Sequence, residues 1–289
     1  MRTWIAAVAL VAAVGAEAAE LWVGAATADI TPPLPAPLTG GKSVRIVREI
    51  GTPLTVTALA IESREDGRAA GQAILVSCDL CVIRKGIQEG FRRHIEGRLP
   101  GFDTRNLFLA ATHTHSAPVI QQDRYEGYGD AIQPTNYVAM LYERMASAVA
   151  AAWSNRAPGA VAWGLGHAVA GRNRRVAFAD GRAAMYGSTA APDFRGLEGG
   201  EGTAVDVLCF YDRDRKLKAA VLSLAAPAQA GGPGINADYW HPARELIRAR
   251  HGADVCVLGF CAPAGDQVPK ALIHRSEERR VGKECRSRW

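Results

Sequence analysis

The stretch Leu107-Phe108-Leu109-Ala110-Ala111-Thr112-His113-Thr114-His115-Ser116-Ala117-Pro118 constrains this chain more than any other. It opens as a short apolar run, which predicts a strand buried on both faces. It ends in a polar cluster stopped by Pro118. Side chains alternate faces along a strand, so the pattern predicts His113 and His115 on one side, about 7 Å apart along the backbone. Two imidazoles presented together can grip one metal ion, or one can bind metal while the other moves a proton. A hydrogen-bonded strand end without chemistry is the competing reading. The location favours chemistry, because ligands of open sheets gather at the carboxyl ends of strands.

The two ends of the chain read differently from its middle. Residues 1–18 combine Arg2, an apolar core from Ile5 to Val14 and the small-x-small site Ala16-Glu17-Ala18. That is the pattern of a secretory signal peptide, too short and wrongly flanked for a membrane span. No later segment approaches 18 uninterrupted apolar residues, so the expected location is secreted or periplasmic, with no transmembrane segment. Residues 275–289 resemble a translated sequencing adapter over their whole length, and are expected to be a non-native tail on an α/β domain cut short near His274. The tail carries six Lys/Arg against three Glu, so the formal charge of +5 falls to +2 without it. The basicity of the whole chain therefore implies no nucleic-acid partner.

Of six cysteines, Cys285 goes with the tail. Cys78-Asp-Leu-Cys81 has the spacing of a redox motif or half a zinc site, but no second such pair follows. Buried small hydrophobes are the expectation for most of the rest.

Between the ends the periods alternate. Residues 21–30 predict a strand halted by Pro32 and Pro33. Leu54–Glu62 and Gln72–Ser77 predict two more around a Glu65-Asp66-Gly67 turn. Ile87, Phe91, Ile95 and Leu99 recur at helical spacing. Thr135 is placed to cap a strong helix bearing Val138, Leu141 and Met145 on one face. Strands follow at 160–170 and 176–178, the latter with an Asp180-Gly181 hairpin turn. Residues 187–203 are expected to be exposed. A second hairpin spans 205–211 and 216–224, Pro242 opens a helix to Arg250, and 255–260 is a last buried strand. With no internal repeat and no linker, 19–274 reads as one mixed α/β (α+β) domain.

Further polar residues sit at strand and helix ends. Asp266 follows the last strand and can orient a His, bind metal or cap a helix. His241 lies at a helix entry, where the dipole favours a neutral imidazole able to ligate metal. Arg172, Arg174 and Arg175 surround Asn173 in a tight turn, and can clamp a carboxylate or amide oxygen or be solvated.

Taken together, Gly24-x-x-x-Ala28-Asp29-Ile30-Thr31-Pro32, Ala-Thr-His113-Thr-His115-Ser, Asn173-Arg174 and Ala264-Gly265-Asp266 occur in an order that resembles the amino-terminal catalytic domain of the neutral/alkaline (non-lysosomal) ceramidases. The resemblance covers roughly residues 22–272. It implies mixed sheets packed between helices and zinc-dependent hydrolysis of an N-acyl lipid amide. His113 would be a Zn2+ ligand, with His115 and Asp266 in the catalytic site, Asn173 and Arg174 toward substrate, and His241 as a substitute ligand. The family's second zinc histidine falls in a segment matched by Leu224-Ala225-Ala226-Pro227, and its Gly-Asp-x-Ser-Pro serine is matched by Val268. The family's remaining ligands, a Glu and a Tyr, lie beyond the matched region. The expected activity is thus that of a ceramidase-like enzyme whose present fragment is inactive. A catalytically silent relative that binds a ligand or partner is the alternative.

Overall fold

The apolar runs become strands of one large sheet, and the helical periodicities become the helices that cover it. The computed structural model describes residues 19–273. The expected signal peptide (1–18) and tail (275–289) lie outside the described residues.

Strand β1 (Glu20–Asp29) leads to a small ribbon, β2 (Ala36–Leu38) with β3 (Arg45–Val47). Strands β4 (Thr55–Glu65) and β5 (Arg68–Cys78) form a hairpin around Asp66 and Gly67, both at positive φ. Helix α1 (Lys85–Ile95) connects β5 to β6 (Leu107–Ala111), and α2 (Pro134–Ser154) connects β6 to β7 (Ala157–His167). Short pieces follow: β8 (Arg172–Asn173), β9 (Arg175–Phe178), β10 (Ala183–Met185) and β11 (Phe194–Leu197). The chain closes with the hairpin β12 (Ala204–Asp212) and β13 (Leu217–Leu224), then α3 (Trp240–His251), β14 (Cys256–Cys261) and β15 (Gln267–Val268).

The main sheet runs β14-β13-β12-β7-β1-β4-β5-β6. Its neighbours are antiparallel except β13/β14 and β5/β6, which are parallel. Strand β12 pairs with β7 along its length, whereas β1 meets β7 only at Trp22↔Pro158 and Val23↔Ala157. Across this narrow junction the sheet folds back on itself. Alternation then sorts the side chains. Val23 and Leu59 face Phe210, Val221 and Leu258 of the other half. Val56, Ala58 and Ala60, on the opposite face of β4, pack against Phe91 of α1 and Leu141, Met145 and Val149 of α2. Helix α3 covers the far side, with Trp240 in a cluster with Leu224 and Ala226. The result is mixed sheet layers between helices.

Trp240 is 1% exposed, and its indole lies so close to Gly259 that an added Cβ there would stand 2.7 Å from ring atoms. Glycine is what lets the helix close on the strand. Truncating a buried indole of this kind costs about 3–5 kcal/mol.

Several local expectations are revised. Strand β6 is an edge strand, and Phe108 is 50% exposed, so the run is not buried on both faces. Helix α2 starts one residue before Thr135. Its N-cap is Gln133 without a side-chain cap bond, and Pro134 occupies the first turn, where its missing N–H costs nothing. Helix α1 ends at Ile95, short of Leu99, and the 187–203 segment contains β11.

Candidate metal and catalytic site

Both parallel strand pairs point their carboxyl ends to the same region. Registers run up to Cys78↔Ala111 in one pair and Leu224↔Cys261 in the other. The two pairs are stitched together by Ser77, whose hydroxyl donates to the Gly259 carbonyl at 2.7 Å and accepts from the Gly259 N–H at 3.2 Å. Segments 79–83, 112–116, 225–229 and 262–266 therefore emerge side by side.

The histidine segment is not a continued strand. Beyond Ala111 the Thr112 N–H still donates to the Cys78 carbonyl, and Thr114 N–H to that of Leu80. His113 between them sits at φ 63°, a left-handed conformation uncommon for a non-glycine residue. The two imidazoles thus converge through a turn rather than by strand alternation, and their ring centroids lie 5.1 Å apart. The turn is held from several sides. Thr114 donates its hydroxyl to the Asn236 carbonyl at 2.7 Å. His115 N–H donates to the Ala228 carbonyl, and Arg45 donates to the carbonyl of His115. Gly40, at φ 88°, passes so close that a Cβ would stand 2.5 Å from His115 Nδ1.

His113 opens on a cavity of about 340 Å3 lined by Cys81, Arg174, Pro227, Cys261 and Gly265. His115 opens on a second, of about 560 Å3, lined by Arg45, Tyr186, Gln229, Asp238 and Val268. Cys81 completes the cluster. One ligand atom from each of Cys81, His113 and His115 can be chosen with all three within 4.8 Å of one another. Burial lowers the pKa of His113, helped by the Arg174 guanidinium. Burial also lowers that of His115, to about 4, with His113, Arg174 and Arg45 adding repulsion. Both imidazoles are therefore neutral near pH 7, the form that ligates metal. Burial raises the Cys81 thiol to about 11, and a thiol binds metal only by losing its proton. Two imidazoles and a thiol suit the donor preferences of zinc.

Asp266 accepts from the Asn173 amide at 2.9 Å, and its own carbonyl accepts from Arg174 N–H at 2.7 Å. Asn173 is 1% exposed, and its Oδ1 accepts from Arg175 N–H, so both its polar atoms are engaged. Arg174 donates to the Gly265 carbonyl and to the Tyr186 hydroxyl. β8 and β15 pair here, Gln267 opposite Asn173 and Val268 opposite Arg172. His241 lies in the first turn of α3, its N–H donating to the Asp238 carbonyl. It lines neither cavity and is not in the cysteine–histidine cluster.

The chain superimposes on neutral ceramidase from Pseudomonas aeruginosa with a TM-score of 0.69 at 20% identity, over 88% of this chain and 40% of that one. The fold is that of a neutral ceramidase. A ceramidase complexed with C2 gives a TM-score of 0.67 at 22% identity, over 87% and 39%. The chain thus spans about two fifths of the length of these ceramidases. No protein-family model matches the sequence, and no curated protein matches it at a significant level.

The two places where the sequence is expected to depart from the family motifs both face the cavities. Pro227, in the segment that the resemblance matches to the family's second-histidine segment, lines the cavity of His113. Val268, at the place of the serine, lines that of His115 and is 5% exposed. Sequence reasoning missed three contributors. Cys81 was visible only as half of a Cys-x-x-Cys pair, and the structure separates its two members, with Cys78 in the helix-side core. Gln229 carried no motif. Asp79, whose carboxylate accepts from the Thr112 hydroxyl at 3.1 Å beside the turn, looked like any loop carboxylate.

Proposed function

We propose that this chain carries the amino-terminal part of a zinc-dependent hydrolase acting on N-acyl amides of amphiphilic lipids, the class to which ceramide belongs. The observation that carries the reading is the His113–His115 pair at the carboxyl ends of parallel strands in a ceramidase fold. These residues would hold the zinc ion, which would supply Lewis acidity toward the amide carbonyl and the attacking water. His113 serves as a ligand through a neutral imidazole. His115, its ring centroid 5.1 Å from that of His113, would serve either as a second ligand or as the group that carries a proton to the leaving amine. Arg174 borders the His113 cavity, where it orients the amide oxygen, while Asp266 fixes Asn173 and through it the β8 turn that carries Arg174. Residues 1–18 would direct export.

The fragment itself binds zinc without turning substrate over, because Pro227 contributes no ligand and Val268 no hydroxyl. The same two observations favour a second reading, a silent relative that retains the cavities for binding alone. The experiment is to load the full chain and His113→Ala with zinc, count bound metal, and assay both with a fluorogenic N-acylsphingosine. The expected result is zinc retained by the parent, lost in His113→Ala, and turnover absent from both. Steady turnover abolished by His113→Ala overturns the inactivity. Absence of both zinc binding and lipid-amide binding overturns the hydrolase reading.

A further inference from the structure

Cys81 stands where its neighbourhood gives it no structural task. It follows β5 by three residues, is 7% exposed, and faces the His113 cavity rather than the core that takes Cys78. Its Sγ joins the ring nitrogens of His113 and His115 within 4.8 Å. Around tetrahedral zinc, with bonds of about 2.0–2.3 Å, ligand atoms stand roughly 3.3–3.7 Å apart, a difference that side-chain rotation supplies.

A second, independent observation points the same way. The Gln229 amide nitrogen lies 2.8 and 2.6 Å from Nδ1 and Nε2 of His115. Its Oε1 is buried and has no hydrogen-bond partner among the described residues. A neutral imidazole carries one N–H. With the amide turned so that Oε1 faces the ring, the orphaned oxygen gains that N–H as a donor, and a small pivot of the amide away from the other ring nitrogen opens its lone pair to an ion. Fixing a ligand's tautomer in this way is what supporting residues do around metal sites.

We propose that Cys81, His113 and His115 form a three-ligand site for a thiophilic divalent ion of the zinc class, oriented through Gln229, with the Cys81 thiolate supplying the donor that Pro227 does not. The assignment deepens the function proposed above and rests on it only for the class of ion. Three protein ligands leave one tetrahedral position open, as in catalytic zinc sites. The soft sulfur donor shifts preference toward zinc and cobalt and away from magnesium or calcium. Cys261, which lines the same cavity, remains outside the donor set.

The test is cobalt substitution of the full chain under reducing conditions. The wild-type protein is expected to bind one Co2+ with a near-ultraviolet thiolate-to-cobalt charge-transfer band and intense four-coordinate visible bands. Cys81→Ser should lose the charge-transfer band and weaken Zn2+ by more than the roughly 10–100-fold that loss of a supporting residue costs. Cys261→Ser should leave spectrum and affinity unchanged. Should Cys81→Ser fail to fold by circular dichroism, the wild-type spectrum still decides. Bound Co2+ without the charge-transfer band, or a Cys81–Cys261 disulfide in the protein purified without reductant, overturns the proposal. Sulfur ligation in a chain that binds no lipid amide leaves it standing and removes the function proposed above. Zinc bound with no sulfur ligand does the reverse.

Discussion

Arg244 of α3 and Asp79, the residue after β5, form a buried bidentate ion pair, with Nη1 to Oδ2 at 2.7 Å and Nη2 to Oδ1 at 2.9 Å. Their side chains are 3% and 0% exposed. The same carboxylate accepts from the N–H and hydroxyl of Thr55 and from the hydroxyl of Thr112. Asp79 is two residues from Cys81, and Thr112 adjoins His113. One carboxylate therefore ties an outer helix, strand β4 and the segments carrying Cys81 and His113 together.

Removing one member of a buried pair leaves an uncompensated charge, typically at about 3–5 kcal/mol. Arg244→Ala is expected to destabilise the protein by that amount in urea denaturation. Thr112→Val removes a single bond and should cost about 1–2 kcal/mol. An Arg244→Ala loss below about 1 kcal/mol would show that solvent or another cation replaces the guanidinium.

The contrast between these groups explains what the sequence discloses. Strand hairpins are legible because alternation and turns are local: β12 and β13 lie where periodicity and the Asp-Arg-Asp turn put them, and Asp66-Gly67 turns β4 into β5. The folding of the sheet onto itself is not local. It depends on β7 pairing with β1 at only two positions and on Ser77 reaching Gly259, 182 residues away. The donor cluster shows the same division. His113 and His115 announce themselves as His-x-His, whereas Cys81, Gln229 and Arg244 reach the site only through parallel pairing of strands separated by helices.

Stability should fall with acid in a window set by His115. Its imidazole, near 6.5 when unfolded, is held at about 4 in the folded protein, first by burial and then by His113. Between those values the unfolded chain binds a proton that the folded chain refuses, so stability is full above about pH 6.5 and declines toward pH 4. Each unit is worth at most about 1.4 kcal/mol, reduced by solvent reaching the half-buried ring. Melting temperatures from pH 7 to 4.5 should drop less steeply in His115→Gln than in the parent. Parallel curves would mean that the ring titrates normally.

An apolar stripe should drive self-association. Val161, Trp163 and Leu165 share one face of β7 and are 49%, 82% and 58% exposed, and most of the β1-facing edge of that strand is unpaired. Open edges with apolar faces template further pairing. Sedimentation velocity is expected to show concentration-dependent oligomers. The double variant Trp163→Ser, Leu165→Lys should abolish them while shifting stability by no more than about 0.5 kcal/mol. A monomeric parent at high concentration would refute this.

The last prediction exchanges one donor for another. Pro227 follows β13 and lines the same cavity as His113 and Cys81, so a histidine at that position is aimed at the donor cluster. Its backbone carbonyl accepts from Gln229 N–H, a bond that any residue can keep, and releasing the proline ring costs at most about 1 kcal/mol. Pro227→His should tighten Zn2+ binding at least about tenfold, or 1.4 kcal/mol, measured by competition with a chromophoric chelator. The informative background is Cys81→Ser. If sulfur and the new imidazole fill equivalent coordination positions, Pro227→His should restore most of the affinity lost in Cys81→Ser while the thiolate-to-cobalt band stays absent. Tightening in the parent with no rescue in Cys81→Ser would place the two donors on opposite sides of the ion, each needing the other.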